Sequence, residues 1–167
     1  MKTIRLLPLE LGRLLQNRLT WLMILLTVIS PAAGLFLYKP ATATTMLSLY
    51  LANPAIAGGV VGGILFGLLT IFELDRVSRS RADVLMDAAV SPLTMALVRL
   101  LALLATAVVT VALTMLVWLP ISMHLIGSVF GGMDYVLAYL LLMGLALPLS
   151  ILAAAAAYQF TRRVDLS

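Results

Sequence analysis

The sequence predicts an all-α, polytopic membrane protein: an interfacial amphipathic helix at the N-terminus, four transmembrane helices, and both termini in the cytoplasm. Three observations carry this expectation. Of 167 residues, 63% are apolar and 11% charged, and the mean hydropathy is +1.13, a composition that soluble domains do not sustain. Charge-free runs cover residues 19–38, 40–72, 100–133 and 135–161, each reaching the roughly 20 residues a spanning helix needs. Finally, ten of the eleven Lys and Arg residues fall in the N-terminal segment, the 73–99 stretch and the C-terminal tail, and only Lys39 falls elsewhere. An even number of spans puts both termini on one side, and the positive-inside rule makes that side the cytoplasm, as expected for a multi-pass protein of the cell (plasma) membrane.

Residues 1–167 therefore read as a single transmembrane domain with two short outer connections and one cytoplasmic loop, leaving no room for a separate soluble catalytic domain. There is no cysteine, which removes disulfides, thiolate metal sites and cysteine nucleophiles together. Lys2, Arg5, Arg13 and Arg18 precede the first apolar run and no small-residue cleavage site follows it in the usual place, so this span is expected to be a retained anchor.

In chain order, residues 2–17 place Ile4, Leu7, Leu11, Leu14 and Leu15 on one helical face, with Lys2, Arg5, Arg13 and Gln16 largely elsewhere. That pattern suits a helix lying among membrane lipid headgroups, with Pro8 expected to break it early. The first span is expected at about 19–38, with Trp21 and Tyr38 as an aromatic belt and a kink at Ser30-Pro31. The second is expected at about 55–72, where Gly59, Gly63 and Gly67 recur every four residues with Gly58 and Gly62 beside them. Small residues at this spacing let two helix backbones approach in lipid, so these glycines are expected to be helix-packing positions. The third span is expected at about 93–119, ending at Pro120, and the fourth at about 135–160, joined by an outer segment with His124, Gly127, Gly131, Gly132 and Asp134.

Few residues here have the pattern of chemistry. His124 has only Asp134 nearby in sequence, whereas a metal site needs three or four ligands, so no metal or other cofactor is expected. The chain has no phosphate-cradling glycine loop followed by lysine, so it is not expected to bind ATP itself. Every charge maps to a span end or a loop, which argues against a proton-coupled carrier. Thr27, Ser30, Thr70, Thr106, Thr110 and Thr114 fit helix-packing contacts better than a substrate path.

The information concentrates in residues 73–92, a charged stretch from Glu73 through Asp75, Arg76, Arg79, Arg81 and Asp83 to Asp87 and Ser91-Pro92. Val84, Leu85, Ala88 and Ala89 make an apolar patch at helical spacing between Asp83 and Asp87. Such a short helix suits the groove of a soluble partner, and a solvated loop with basic flanks is the other reading of the same residues.

From Ile4 to about Leu103 the order of features resembles the first half of a permease of the type-2 ATP-binding cassette (ABC) exporter family. The corresponding features are the basic amphipathic Lys2–Asn17 segment, the span at 19–38, Glu73 closing the second span, the charged run from Asp75 to Asp87, and Val90-Ser91-Pro92-Leu93 with Arg99 beyond. The resemblance implies that Ala82–Ala89 is the coupling helix, with Asp83, Val84, Leu85, Asp87 and Ala88 contacting the ATPase and Glu73 as a hinge or pairing acid. It also implies an ABC ATPase subunit and a second permease chain as partners, with membrane lipid around them and no nucleic acid.

Ser80-Arg81-Ala82-Asp83 stands where the family usually has Gly-Thr, and four spans are read where the family generally has six. A truncated or split permease and a reduced relative paired with a longer subunit both fit that count. Two other classes are alternatives: a small membrane accessory or assembly subunit, and an enzyme similar to the CDP-alcohol phosphotransferases. Asp83 and Asp87 match the end of the latter's acidic motif, but its earlier Asp-Gly and Ala-Arg elements are absent, leaving too few carboxylates for a metal.

Overall fold

Burial of apolar surface and the need to satisfy every backbone polar group both favour helix in so apolar a chain. A computed structural model of the protein describes residues 2–37, 48–79 and 92–164, and all the regular structure among these described residues is helical, with no strand. The elements are α1 (Lys2–Gln16), α2 (Arg18–Ile29), α3 (Pro31–Leu37), a π-helical turn (Ser48–Ala52) leading into α4 (Asn53–Arg79), α5 (Pro92–Ile126), a 3-10 turn (Gly127–Val129), α6 (Gly132–Ala138), a second π-helical turn (Tyr139–Met143) and α7 (Gly144–Val164). Among the described residues, four stretches are long and apolar enough to cross a membrane: Arg18–Phe36, Tyr50–Arg76, Thr94–Ile126 and Gly132–Thr161.

The helix α1 ends where Asn17 turns extended, at φ −81° and ψ 120°, and caps α2 by accepting a bond from the Leu19 N–H on its side-chain oxygen at 3.1 Å. The Trp21 indole N–H closes the same corner by donating to the Leu15 carbonyl at 2.7 Å. Pro8 does not break α1, contrary to the sequence expectation. It removes a single donor, and it is exposed, while Leu14 beyond it packs inward at 2% exposure. Leu7, Leu11 and Leu14 of the predicted apolar face pack into the core or against it, while Leu15 is exposed. This face of α1 lies on α5.

At Ser30-Pro31 the first span divides into α2 and α3. Proline supplies no N–H, and the Ser30 hydroxyl donates instead to the Thr27 carbonyl at 2.7 Å while the Ser30 N–H continues to Leu26 at 3.0 Å.

Three boundaries differ from the sequence expectation. The helix α4 runs seven residues past Phe72 to Arg79, so the first part of the expected 73–92 loop is helical. The helix α5 starts at Pro92, a favoured first position, and passes through Pro120 to Ile126. One lost hydrogen bond at an exposed proline does not outweigh the inward packing of Ser122 and Ile126 beyond it. The stop comes at Gly127, whose φ of +65° is a left-handed conformation that only glycine adopts cheaply. The last span begins earlier than expected, at Gly132, and contains the π-helical turn.

The core lies between α4, α5 and α7, where Phe66, Leu69, Ala102, Tyr139, Leu147 and Ile151 are closed off from the surface. The outward face is just as apolar: Leu116, Val108, Leu149 and Ile64 are 67%, 64%, 63% and 61% exposed. A soluble protein would not tolerate so much exposed aliphatic surface, whereas hydrocarbon solvates it without cost. Five threonine hydroxyls inside the bundle are satisfied within their own helices, whereas those of Thr20 and Tyr139 are buried without a hydrogen-bond partner among the described residues. Thr27, Thr70, Thr106, Thr110 and Thr114 each donate to the carbonyl four residues earlier at 2.7 to 2.8 Å.

Candidate functional site

Glu10, Arg13, Glu73, Arg76 and Arg99 converge at one end of the bundle. The end of α1, the start of α2, the end of α4 and the start of α5 meet there around Glu73, which is only 5% exposed. The carboxylate of Glu73 sits against the Arg13 guanidinium at 2.9 Å, accepts from the Asn17 side-chain amide at 3.1 Å, and has Arg76 at 3.7 Å one turn further along α4. Arg13 also donates to Glu10 on its own helix at 2.7 Å, and Glu10 has Arg99 of α5 at 3.7 Å. A buried carboxylate needs such partners, because an unpaired one costs several kcal/mol in a low-dielectric setting. The network therefore locks α1 to α4 and α5 at the point where α4 leaves the apolar bundle.

Glu73 thus occupies the hub of this network, next to the charged segment that follows α4. Asp83, Val84, Leu85, Asp87 and Ala88 lie outside the described residues, as does the rest of the 80–91 segment. Sequence reasoning missed Glu10, which is 7% exposed. Its signal was present: Glu10 falls within the apolar stripe formed by Leu7, Leu11 and Leu14, and an acid placed on a buried face requires a cation in the fold.

The second constellation, Gly59, Gly63 and Gly67, runs along the face of α4 that meets the last span. A Cβ on Gly59 would stand 2.6 Å from the Leu142 carbonyl oxygen, one on Gly63 would be 3.6 Å from the Ser150 Cβ, and one on Gly67 would be 2.9 Å from the Ser150 Oγ. The Ser150 hydroxyl donates to the Gly63 carbonyl across this seam. Gly62, one step round the helix, faces Thr27 of α2 and Leu147 of α7, so α4 is gripped from both sides. The close approach lies within this one chain and has α7 and its preceding turn as its other half.

Two further helix pairs are pinned by long-range hydrogen bonds. The Trp118 indole N–H of α5 donates to the Val28 carbonyl of α2 at 2.8 Å, and the Tyr135 hydroxyl of α6 donates to the Met115 carbonyl of α5 at 2.6 Å. His124 is exposed in the last turn of α5 and Asp134 is exposed in the first turn of α6. No group of three or more potential metal ligands occurs among the described residues.

Cavities separate into two kinds. Apolar clefts of about 170 Å³ between α5 and the last span, and about 430 Å³ between α2 and α5, are lined almost wholly by aliphatic and aromatic side chains. A polar cavity of about 580 Å³ lies at the charged end, lined by Arg13, Gln16, Asn17, Arg18 and Arg76. Comparison of the chain with protein-family models, with curated proteins and with solved structures returns no match.

Proposed function

We propose that this chain is the membrane-spanning permease part of an ATP-binding cassette exporter, coupling ATP hydrolysis by a separate ATPase subunit to movement of a substrate across the membrane. The observation that carries the reading is the position of Glu73: a buried, multiply paired acid in the last turns of the second span, on the helix that leads into a charged segment with an apolar patch. In this reading the segment Ala82–Ala89 is the coupling helix, and Asp83, Val84, Leu85, Asp87 and Ala88 dock into the ATPase. In the same reading the termini and this segment face the cytoplasm, which the distribution of basic residues supports.

Mechanically, the Arg13–Glu73 pair at 2.9 Å and the longer Glu10–Arg99 pair at 3.7 Å tie α1 to α4 and α5 at that end. A push delivered to the segment between α4 and α5 then re-angles both helices together and carries α1 with them. The Thr106, Thr110 and Thr114 hydroxyls bond within their own helix and the apolar clefts lie between neighbouring helices, which supports a reading in which the translocation path is shared with a second permease chain. That second copy or partner subunit belongs to the proposal.

The test is mild-detergent purification of the tagged protein from its native membrane with quantitative mass spectrometry. The reading expects a stoichiometric soluble ATPase, lost when Asp83→Arg and Leu85→Ser are combined while membrane insertion is unchanged. An intact protein that brings no ATPase would replace this reading with that of a membrane accessory subunit.

A further inference from the structure

The polar cavity at the charged end has a composition that the ion-pair network does not use up. Arg13 is committed to Glu10 and Glu73, and the Asn17 amide to Glu73 and the α2 cap. Arg18 is exposed and forms no ion pair among the described residues, and Arg76 is 56% exposed with its one acid at 3.7 Å. Gln16 adds an exposed amide to the same wall. Among the described residues, Arg13, Arg76 and Arg99 pair with Glu10 and Glu73, and with Asp75 beside Arg76 on α4 the four guanidinium groups of Arg13, Arg18, Arg76 and Arg99 stand against three carboxylates. The excess is positive, and the free donors point to an anion.

Depth identifies which anion. Arg18 is the first residue of one membrane-spanning stretch and Arg76 the last residue of another. Both therefore sit at the edge of the apolar slab, where phospholipid phosphates lie. Guanidinium groups bind phosphate oxygens through paired hydrogen bonds, and about 580 Å³ falls within the range of small-ligand clefts. We infer that the Arg13–Gln16–Asn17–Arg18–Arg76 cavity is a binding site for a phosphate-bearing anion, the headgroup of an anionic phospholipid. The inference rests on the four spanning helices alone and does not depend on an ATPase partner.

The experiment uses the purified full-length chain and native mass spectrometry, titrating phosphatidylglycerol, phosphatidylcholine or inorganic phosphate. Phosphatidylglycerol should bind in preference to phosphatidylcholine, and Arg18→Gln and Arg76→Gln should each weaken it about fivefold, the effect of about 1 kcal/mol per basic residue at a membrane surface. Arg162→Gln, a basic residue of α7, serves as the control for non-specific charge. Both cavity variants spare Arg13, and unchanged circular dichroism and gel-filtration profiles verify their fold. Equal binding of the two lipids, or an Arg162→Gln effect as large as that of Arg18→Gln, would overturn the site. Displacement of the lipid by millimolar inorganic phosphate, with the same Arg18 dependence, would overturn the lipid assignment and leave a site for soluble phosphate.

Discussion

Alanine at each glycine of the α4 seam should have three different effects, although the three positions share one spacing. At Gly59 the new methyl would stand 2.6 Å from the Leu142 carbonyl oxygen, against an ordinary contact beginning near 3.4 Å, so two backbones must part by about 0.8 Å. No rotamer change relieves a clash with backbone, and overpacking of this kind costs about 1–3 kcal/mol. Part of that is offset by alanine's helix preference of about 0.8–1 kcal/mol over glycine. At Gly67 the obstacle is the Ser150 hydroxyl at 2.9 Å, which can rotate away at the loss of its bond to the Gly63 carbonyl. Interhelical bonds in membranes average about 0.6 kcal/mol, so this variant should come out nearly neutral. At Gly63 the nearest atom is 3.6 Å away, no clash arises, and the helix preference should appear as a gain of up to about 1 kcal/mol. Reversible unfolding in mixed detergent micelles, followed by circular dichroism, reads the series. A Gly63→Ala variant as damaged as Gly59→Ala would refute this packing of α4 on the last span.

Other perturbations separate the remaining contacts. Arg13→Ala removes the cation shared by two buried acids, leaving Glu10 with Arg99 at 3.7 Å and Glu73 with Arg76 at 3.7 Å and the Asn17 amide at 3.1 Å, and should cost about 2 kcal/mol after allowing for the partial exposure of Arg13. Adding Glu73→Gln to that variant should restore part of the loss, and strictly additive effects in the double-mutant cycle would exclude coupling between the two. Trp118→Phe should lose about 1 kcal/mol through its bond to the Val28 carbonyl, measured by the same unfolding assay. Gly63→Leu places a branched side chain against Ala146 and Ser150 and should destabilise the isolated chain itself; unchanged unfolding of that variant would contradict an intramolecular seam.

The spanning helices were legible because their apolar runs are long and uninterrupted by charge, a signal independent of tertiary detail. The proline boundaries were not, because a proline's effect depends on what surrounds it. At Pro8 and Pro120 the side chain is exposed and inward-packing residues follow, so the helix continues; at Ser30-Pro31 it divides. At the site, Glu73 could be singled out as an acid ending an apolar run, yet its pairing with Arg13 joins positions far apart in the chain and has no local signature. Glu10 escaped notice although its placement among Leu7, Leu11 and Leu14 marks it as buried. The glycine spacing disclosed a close approach, but the partner face, and the unequal tightness at Gly59, Gly63 and Gly67, exist only once α4 and α7 are side by side.

The proposed coupling to an ATPase is tested most directly by cross-linking, for which a chain without native cysteine is well suited. Leu85→Cys, labelled with a short bifunctional reagent in native membranes, should form a single adduct with an ABC ATPase subunit, and its yield should change when that subunit is trapped with ATP and vanadate. Absence of any ATPase adduct at Leu85 and at each other position from 82 to 89, in membranes where the variants are present at normal levels, would contradict the account.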